Sequence, residues 1–211
     1  MGKVRQPIHQ KSIATKEKII KYGFQLMCEK GYHNVNTIDI ANASHVSTGI
    51  IYQYFHDKHD ILIEGVKRYS DEIMFPMMDV LKNEADLKNN FETALEKMIQ
   101  KTKEAHTISE KAYRQLQALQ NSDEEVFQIF KQKEMETTEE IEEILQHQGF
   151  QIQNQRERVH FLIHMIDVLC QELSYHQHQN FNYQQMTKET IRMIMCLFYD
   201  CTTCKKLRIE S

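Results

Sequence analysis

Apolar positions recur along most of this chain every three or four residues, the spacing of one face of an α-helix. Between residues 15 and 30, Ile19, Ile20, Phe24, Met27 and Cys28 fall on one face. Lys16, Lys18 and Lys21 fall elsewhere, free to meet solvent or phosphate, and Gly31 stands where a helix ends. A shorter pattern follows. It predicts two brief helices, Thr37 to Ala43 and about Thr48 to Tyr54, around a tight bend at Ser44-His45-Val46. Ser47 suits the N-cap of the second, because its hydroxyl accepts a free backbone N–H. Val35, Ile38, Ile40, Ala41, Val46, Ile51 and Phe55 are expected to pack on the first helix as a three-helix head. Two short helices joined by such a turn form a helix-turn-helix, whose second helix fits the DNA major groove.

The pattern then lengthens. Asp57 caps a helix from Lys58 to about Lys82, with Asp60 at its third position, and Pro76 breaks or kinks it near Met74 and Phe75. Asp86 is expected to open the next, which carries Phe91, Leu95, Met98 and Ile99 on one face. Thr107 with Glu110, Ser122 with Glu125 and Asn154 with Glu157 have the spacing of capping boxes. The helices they open run to about Leu119, His147 and His176. Glu134, Glu136, Glu139, Glu140, Glu142 and Glu143 give the second of these a charged outer face. Asn182 is the expected cap of a last helix, Tyr183 to about Cys204. The stretches 161–170 and 193–199 are apolar almost all round, which calls for burial on several sides. A second subunit supplies that cover if these helices form a four-helix bundle across a two-fold axis. Phe161, Met165, Val168, Leu169, Ile194, Leu197 and Phe198 are the expected dimer contacts.

Composition supports an all-α chain. Two Pro and six Gly in 211 residues leave few helix breakers. No run of 18 apolar residues exists and the N-terminus has no apolar signal core, so no membrane span and a cytoplasmic location are expected. Five cysteines, an odd number, fit reduced thiols, and the Cys201/Cys204 pair reads as two ordinary thiols near a helix end. Residues 1–62 carry a net charge of +3 and residues 63–211 one of −7, a basic head on an acidic body. Lys3, Arg5 and Lys11 lie in a polar terminus that reads as frayed, or as an arm adding phosphate or minor-groove contacts.

The segment from Thr15 to Leu62 resembles the DNA-binding head of the TetR family, the tetracycline-repressor-like transcriptional regulators. The residues that carry the resemblance are Gly31-Tyr32, Thr37-Ile38-Asp39-Ile40-Ala41, Val46-Ser47-Thr48-Gly49, Tyr52-Gln53-Tyr54-Phe55 and Lys58-His59-Asp60-Ile61-Leu62. It covers about a quarter of the chain, five pieces in order at the right spacing. His45 stands where that family usually has Gly, which implies local backbone strain. His56 is a second, harmless departure. The resemblance implies a homodimer formed through the last two long helices. It also implies a DNA-binding domain at residues 1–62 and a helical ligand-binding and dimerisation domain at residues 63–211.

Helix geometry and the resemblance nominate the same DNA contacts: Thr37, Ser47, Thr48, Gly49, Tyr52, Gln53, Tyr54 and Lys58. Helix N-termini favour a phosphate near Thr37 and Ser47. Tyr52 and Lys58 match family positions that hold phosphate. Gln53 pairs bidentately with adenine, and the Thr48 methyl meets a thymine methyl. Tyr54 divides evenly between core packing and DNA contact. An apolar effector pocket would draw on Met74, Met78, Phe91, Met98, Tyr113, Leu116, Phe127, Phe130, His160 and His164. Each of these also reads as ordinary core.

Glu157-x-x-His160 has one half of a di-iron motif and finds no second half. His176-Gln-His178 lies in a polar helix end. No paired nucleophile and no phosphate loop appear, so neither an enzyme nor a cofactor is expected. The sequence predicts a dimeric, ligand-responsive repressor on a near-palindromic double-stranded operator, released by a partly apolar small molecule. The alternative keeps the head and gives the body a protein partner.

Overall fold

The computed structural model describes residues 10–74, 76–106 and 110–199, with side chains apart from 69–74. Helices dominate these residues and no strand occurs among them. They are α1 (Gln10–Lys30), α2 (Thr37–Ala43), α3 (Thr48–Tyr54), α4 (Lys58–Met74), α5 (Met78–Asn83), α6 (Phe91–His106), α7 (Glu110–Ser122), α8 (Glu124–His147), α9 (Gln155–Tyr175) and α10 (Tyr183–Phe198). A single 3-10 turn, Tyr32–Asn34, joins α1 to α2. None of these helices is long and apolar enough to cross a membrane.

The chain forms two compact units. The first takes residues 1–70 and 111–131, the second residues 71–110 and 132–211. In the first, α1 buries Ile19, Ile20, Phe24, Met27 and Cys28, the face its periodicity marked. Gly65 on α4 lets α1 approach closely: a Cβ there would stand 2.6 Å from Phe24 Cγ. Gly23 has a similar role, with Ile61 Cγ2 2.8 Å from where its Cβ would be. In the second unit α9 packs against α6 and α10. Ile141 and Leu145 of α8 and Phe150 join that core. Phe91 holds it at one end, its ring 5.4 Å from Phe150 and 5.1 Å from Phe198 in tilted contacts.

Several helix ends differ from expectation. Of the two outcomes expected at Pro76, a kink or a break, the break occurs: α4 stops at Met74 and α5, not a continued α4, runs from Met78 to Asn83, because the proline nitrogen donates nothing to the ladder. Asp86 does not open a helix; α6 starts at Phe91, and the Asp86 carboxylate accepts from Asn89 Nδ2 at 3.0 Å. Ser122 closes α7, its hydroxyl donating to the Ala118 carbonyl, and Asp123 caps α8 instead. Asn154 precedes α9 in the left-handed region at φ 53° and makes no side-chain cap. The last helix ends at Phe198 rather than Cys204. Ile38 was expected in the core and is 61% exposed; it points away from buried Ile40 and Ala41 on a two-turn helix. Cys28 and Cys170 are free and buried, their thiols pushed up to about 12 by burial first and by neighbouring carboxylates second. Lys3 and Arg5 of the N-terminal arm, Thr107 and the Cys201/Cys204 pair lie outside the described residues, whereas Lys11 lies in the first turn of α1.

Candidate nucleic-acid interface

The head builds its outward face from two capped helices. Asn36 caps α2: its side chain accepts from Asp39 N at 3.0 Å, and Asp39 reaches back to Asn36 N at 2.9 Å. This reciprocal box satisfies two donors that a helix start leaves open. Thr37 is therefore the first helical residue and not the cap. Ser44 closes the helix from inside, buried, with its hydroxyl on the Ile40 carbonyl at 2.6 Å. The chain then turns through His45 at φ 51°, the strained backbone implied by a residue standing in place of Gly. Ser47 caps α3 by accepting from Ile50 N.

On α3, Ile51 and Tyr54 face inward and are buried. Gly49, Tyr52 and Gln53 are exposed, and Thr48 is half-buried. A Cβ at Gly49 would meet only Ser47 Oγ, at 3.8 Å, so the helix is open on that side. Thr37 and exposed Ile38 stand at the start of α2. Ile38 is the residue that sequence reasoning misplaced. The signal was present, since Ile40, Ala41 and Ser44 define the inner face of α2 and Ile38 is off it.

Tyr54 is 8% exposed and belongs to the head's core. Lys58 is held inside the chain. Its ammonium donates to the carbonyls of Tyr32 at 2.7 Å and Val35 at 2.8 Å and lies 4.3 Å from the Tyr32 ring centroid. It ties the start of α4 to the loop before α2. Nearby, Asp57 caps α4 by accepting from the N–H groups of His59 and Asp60. Asp60 accepts from the N–H and the ring of His56. Burial pushes the Asp60 carboxyl up, but those hydrogen bonds and the charges of His56 and His59 outweigh it and leave it below its ordinary value. Residues 36–57 contain no Lys or Arg, so hydroxyls, backbone N–H groups and an amide dominate this face.

The ten candidate pocket residues divide between the units. Tyr113, Leu116, Phe127 and Phe130 belong to the first; Met78, Phe91, Met98, His160 and His164 belong to the second. The Met74 side chain lies outside those described. Leu116, Phe130, Met78, Phe91 and Met98 are buried. Phe127 borders a surface hollow of about 370 Å³ at the α7–α8 turn, shared with polar Gln120, Asn121 and Asp123. Of the residues expected at a dimer contact, Phe161 and Val168 are exposed, at 57% and 63%. Met165 and Leu197 are half-buried, and Leu169, Ile194 and Phe198 fill the unit's own core.

A three-helix head with a capped and outwardly open third helix is a helix-turn-helix DNA-binding module. Residues 19–64, the helix-turn-helix head, match the model of the bacterial regulatory proteins, tetR family. The HTH-type transcriptional regulator HbdR of Aromatoleum sp. (strain CIB) is 43% identical over 56 residues, 26% of this chain and 24% of the relative. The fatty acid metabolism regulator protein of Bacillus subtilis (strain 168) is 31% identical over 80 residues, 38% of this chain and 41% of the relative. The matches thus span less than half the length of these curated relatives. The fatty acid degradation regulator FadR from Bacillus halodurans shares the fold at a TM-score of 0.62 and 19% identity, over 92% of this chain and 97% of that one.

Proposed function

We propose that this protein is a dimeric transcriptional repressor that reads a near-palindromic operator and is released by a small, partly apolar effector. The observation that carries the DNA reading is α3, which buries Ile51 and Tyr54 and leaves Gly49, Tyr52 and Gln53 outward. Gln53 reads a base, Thr48 offers its methyl, and Gly49 allows close approach. Thr37, Ser47 and Tyr52 bind phosphate, with Tyr54 and Lys58 holding the helix and its approach loop in place. The functional division falls at residues 1–62 for DNA and 63–211 for effector and dimer. An effector in the body acts through α4, one helix from Lys58 to Met74 whose residues belong to both units. Fatty acid metabolism in the name of one relative accords with an apolar effector. The regulator works in the cytoplasm.

The test compares binding to DNA flanking the protein's own gene with random DNA of equal length, at physiological salt. A preference of about 10³-fold or more supports the reading. Gln53→Ala is expected to erase about 1–3 kcal/mol of that preference while leaving random-DNA binding in place. Equal losses on both DNAs would reject base reading by Gln53.

A second reading gives the body a protein partner instead of an effector. The close packing of Phe91 against the Phe150, Phe198 and Tyr199 rings favours it, because those side chains are occupied with one another. Small molecules that abolish operator binding by the purified protein would reject this second reading.

A further inference from the structure

Three side chains of the second unit converge on one point. His160 and His164 stand one turn apart on α9, and Glu134 reaches them from α8. The two Nε2 atoms are 3.3 Å apart. Glu134 Oε1 lies 3.5 Å from His160 Nε2 and 2.5 Å from His164 Nε2. Tetrahedral zinc with ligands at about 2.0–2.1 Å separates its donors by about 3.3 Å. The circle through these three atoms has a radius of about 1.8 Å, shorter than such a bond, so one position lies within bonding distance of all three.

A further contact favours ligation over a plain ion pair. Thr138, buried on α8, donates its hydroxyl hydrogen to the Glu134 carbonyl at 2.8 Å. Its oxygen is then an acceptor for the N–H at His160 Nδ1, 3.3 Å away. That bond places the ring proton on Nδ1 and leaves the Nε2 lone pair aimed at the cluster. An imidazole fixed in this way by its far nitrogen is the usual support of a metal-binding histidine. His164 is exposed and His160 half-buried, which leaves a fourth position to water.

We propose that Glu134, His160 and His164 bind a divalent transition-metal ion of the zinc class and clip α8 to α9. Imidazole with one carboxylate suits zinc, and its cobalt substitute, over magnesium or calcium, which take oxygen ligands. The proposal is independent of the DNA reading, so either can fail alone.

The test titrates Co²⁺ into the tag-free, chelator-treated full chain and follows the visible ligand-field bands, with Zn²⁺ displacing them. One equivalent per chain is expected. His160→Asn and His164→Asn should each remove the bands, and Glu134→Gln should weaken binding at least about 10-fold. Thr138→Val, which leaves every ligand in place, should weaken it about 10–100-fold. The paired variant His176→Asn/His178→Asn removes two histidines that share a different carboxylate, Glu172, and should leave the bands unchanged. Circular dichroism of the metal-free variants confirms that each is folded. Absent bands in the parent chain, bands that survive His164→Asn, or bands lost with His176 and His178 would overturn the proposal.

Discussion

His45 and Gly49 lie four residues apart and use backbone freedom in opposite ways. His45 holds φ 51° without the freedom of glycine, whereas Gly49 sits within a helix and does not need it. A glycine inside a helix costs about 0.5–1 kcal/mol relative to alanine. An added methyl at Gly49 would meet nothing closer than 3.8 Å. Gly49→Ala is therefore expected to raise thermal stability by about that amount while weakening operator binding. Unfolding curves and DNA titrations on the same sample check both signs, and undiminished operator binding would show that no close approach occurs there. The strain at His45 was legible in the sequence, since the bend's position followed from flanking helices and the resemblance placed Gly there. The role of Lys58 was not. Its two carbonyl partners lie 26 and 23 residues upstream, and only the folded head brings them to its ammonium.

Existence and order of the helices followed from apolar spacing, and α2 and α3 have the bounds that spacing predicts. Helix ends were less legible, because several polar residues compete for each cap. At the α7–α8 junction Ser122 and Asp123 both qualify locally, and tertiary contact decides. Asp123 accepts from the N–H groups of Glu125 and Val126 and from His59 Nε2 at 2.8 Å, which couples α8 to α4. Burial alone would push this carboxyl up, but the bonds from Val126, His59 and Glu125, with the charge of His59, hold it below its ordinary value. A carboxylate depressed in the folded state stabilises above its unfolded value, about 3.9, and loses that contribution as pH falls through the folded value. Asp123→Ala is thus expected to cost about 1 kcal/mol at pH 7. The gap from the parent chain should narrow below about pH 4 in urea melts at graded pH; a constant gap would mean that the carboxylate's charge contributes nothing. The α1–α4 crossing gives a stricter test of packing. Gly65→Ala drives a methyl into the Phe24 ring and should cost about 1–3 kcal/mol, whereas a neutral outcome would mean that the helices separate freely.

For the whole molecule, the apolar surface left on α9 and α10 is what the proposed dimer has to cover. Their almost continuous apolar runs were legible, but not how they divide between inside and outside. Leu169, Ile194 and Phe198 go to the unit's own core, while Phe161, Val168 and Met193 remain exposed. Large apolar side chains on neighbouring helices mark an interaction face when they cluster. On the proposed reading of a near-palindromic operator, a second copy of the chain is the expected occupant, because each head would read one half-site. Phe161→Glu with Val168→Glu places two like charges on each face and is expected to give monomers by light scattering with helix content unchanged. Binding to a single half-site should persist, since the head is untouched. Affinity for the full operator should fall by about 10²-fold or more, because the second head no longer arrives at high local concentration. A stable dimer in this variant would move the interface off α9. A monomer that still binds the full operator tightly would separate dimerisation from DNA reading, and with it the repressor mechanism proposed here.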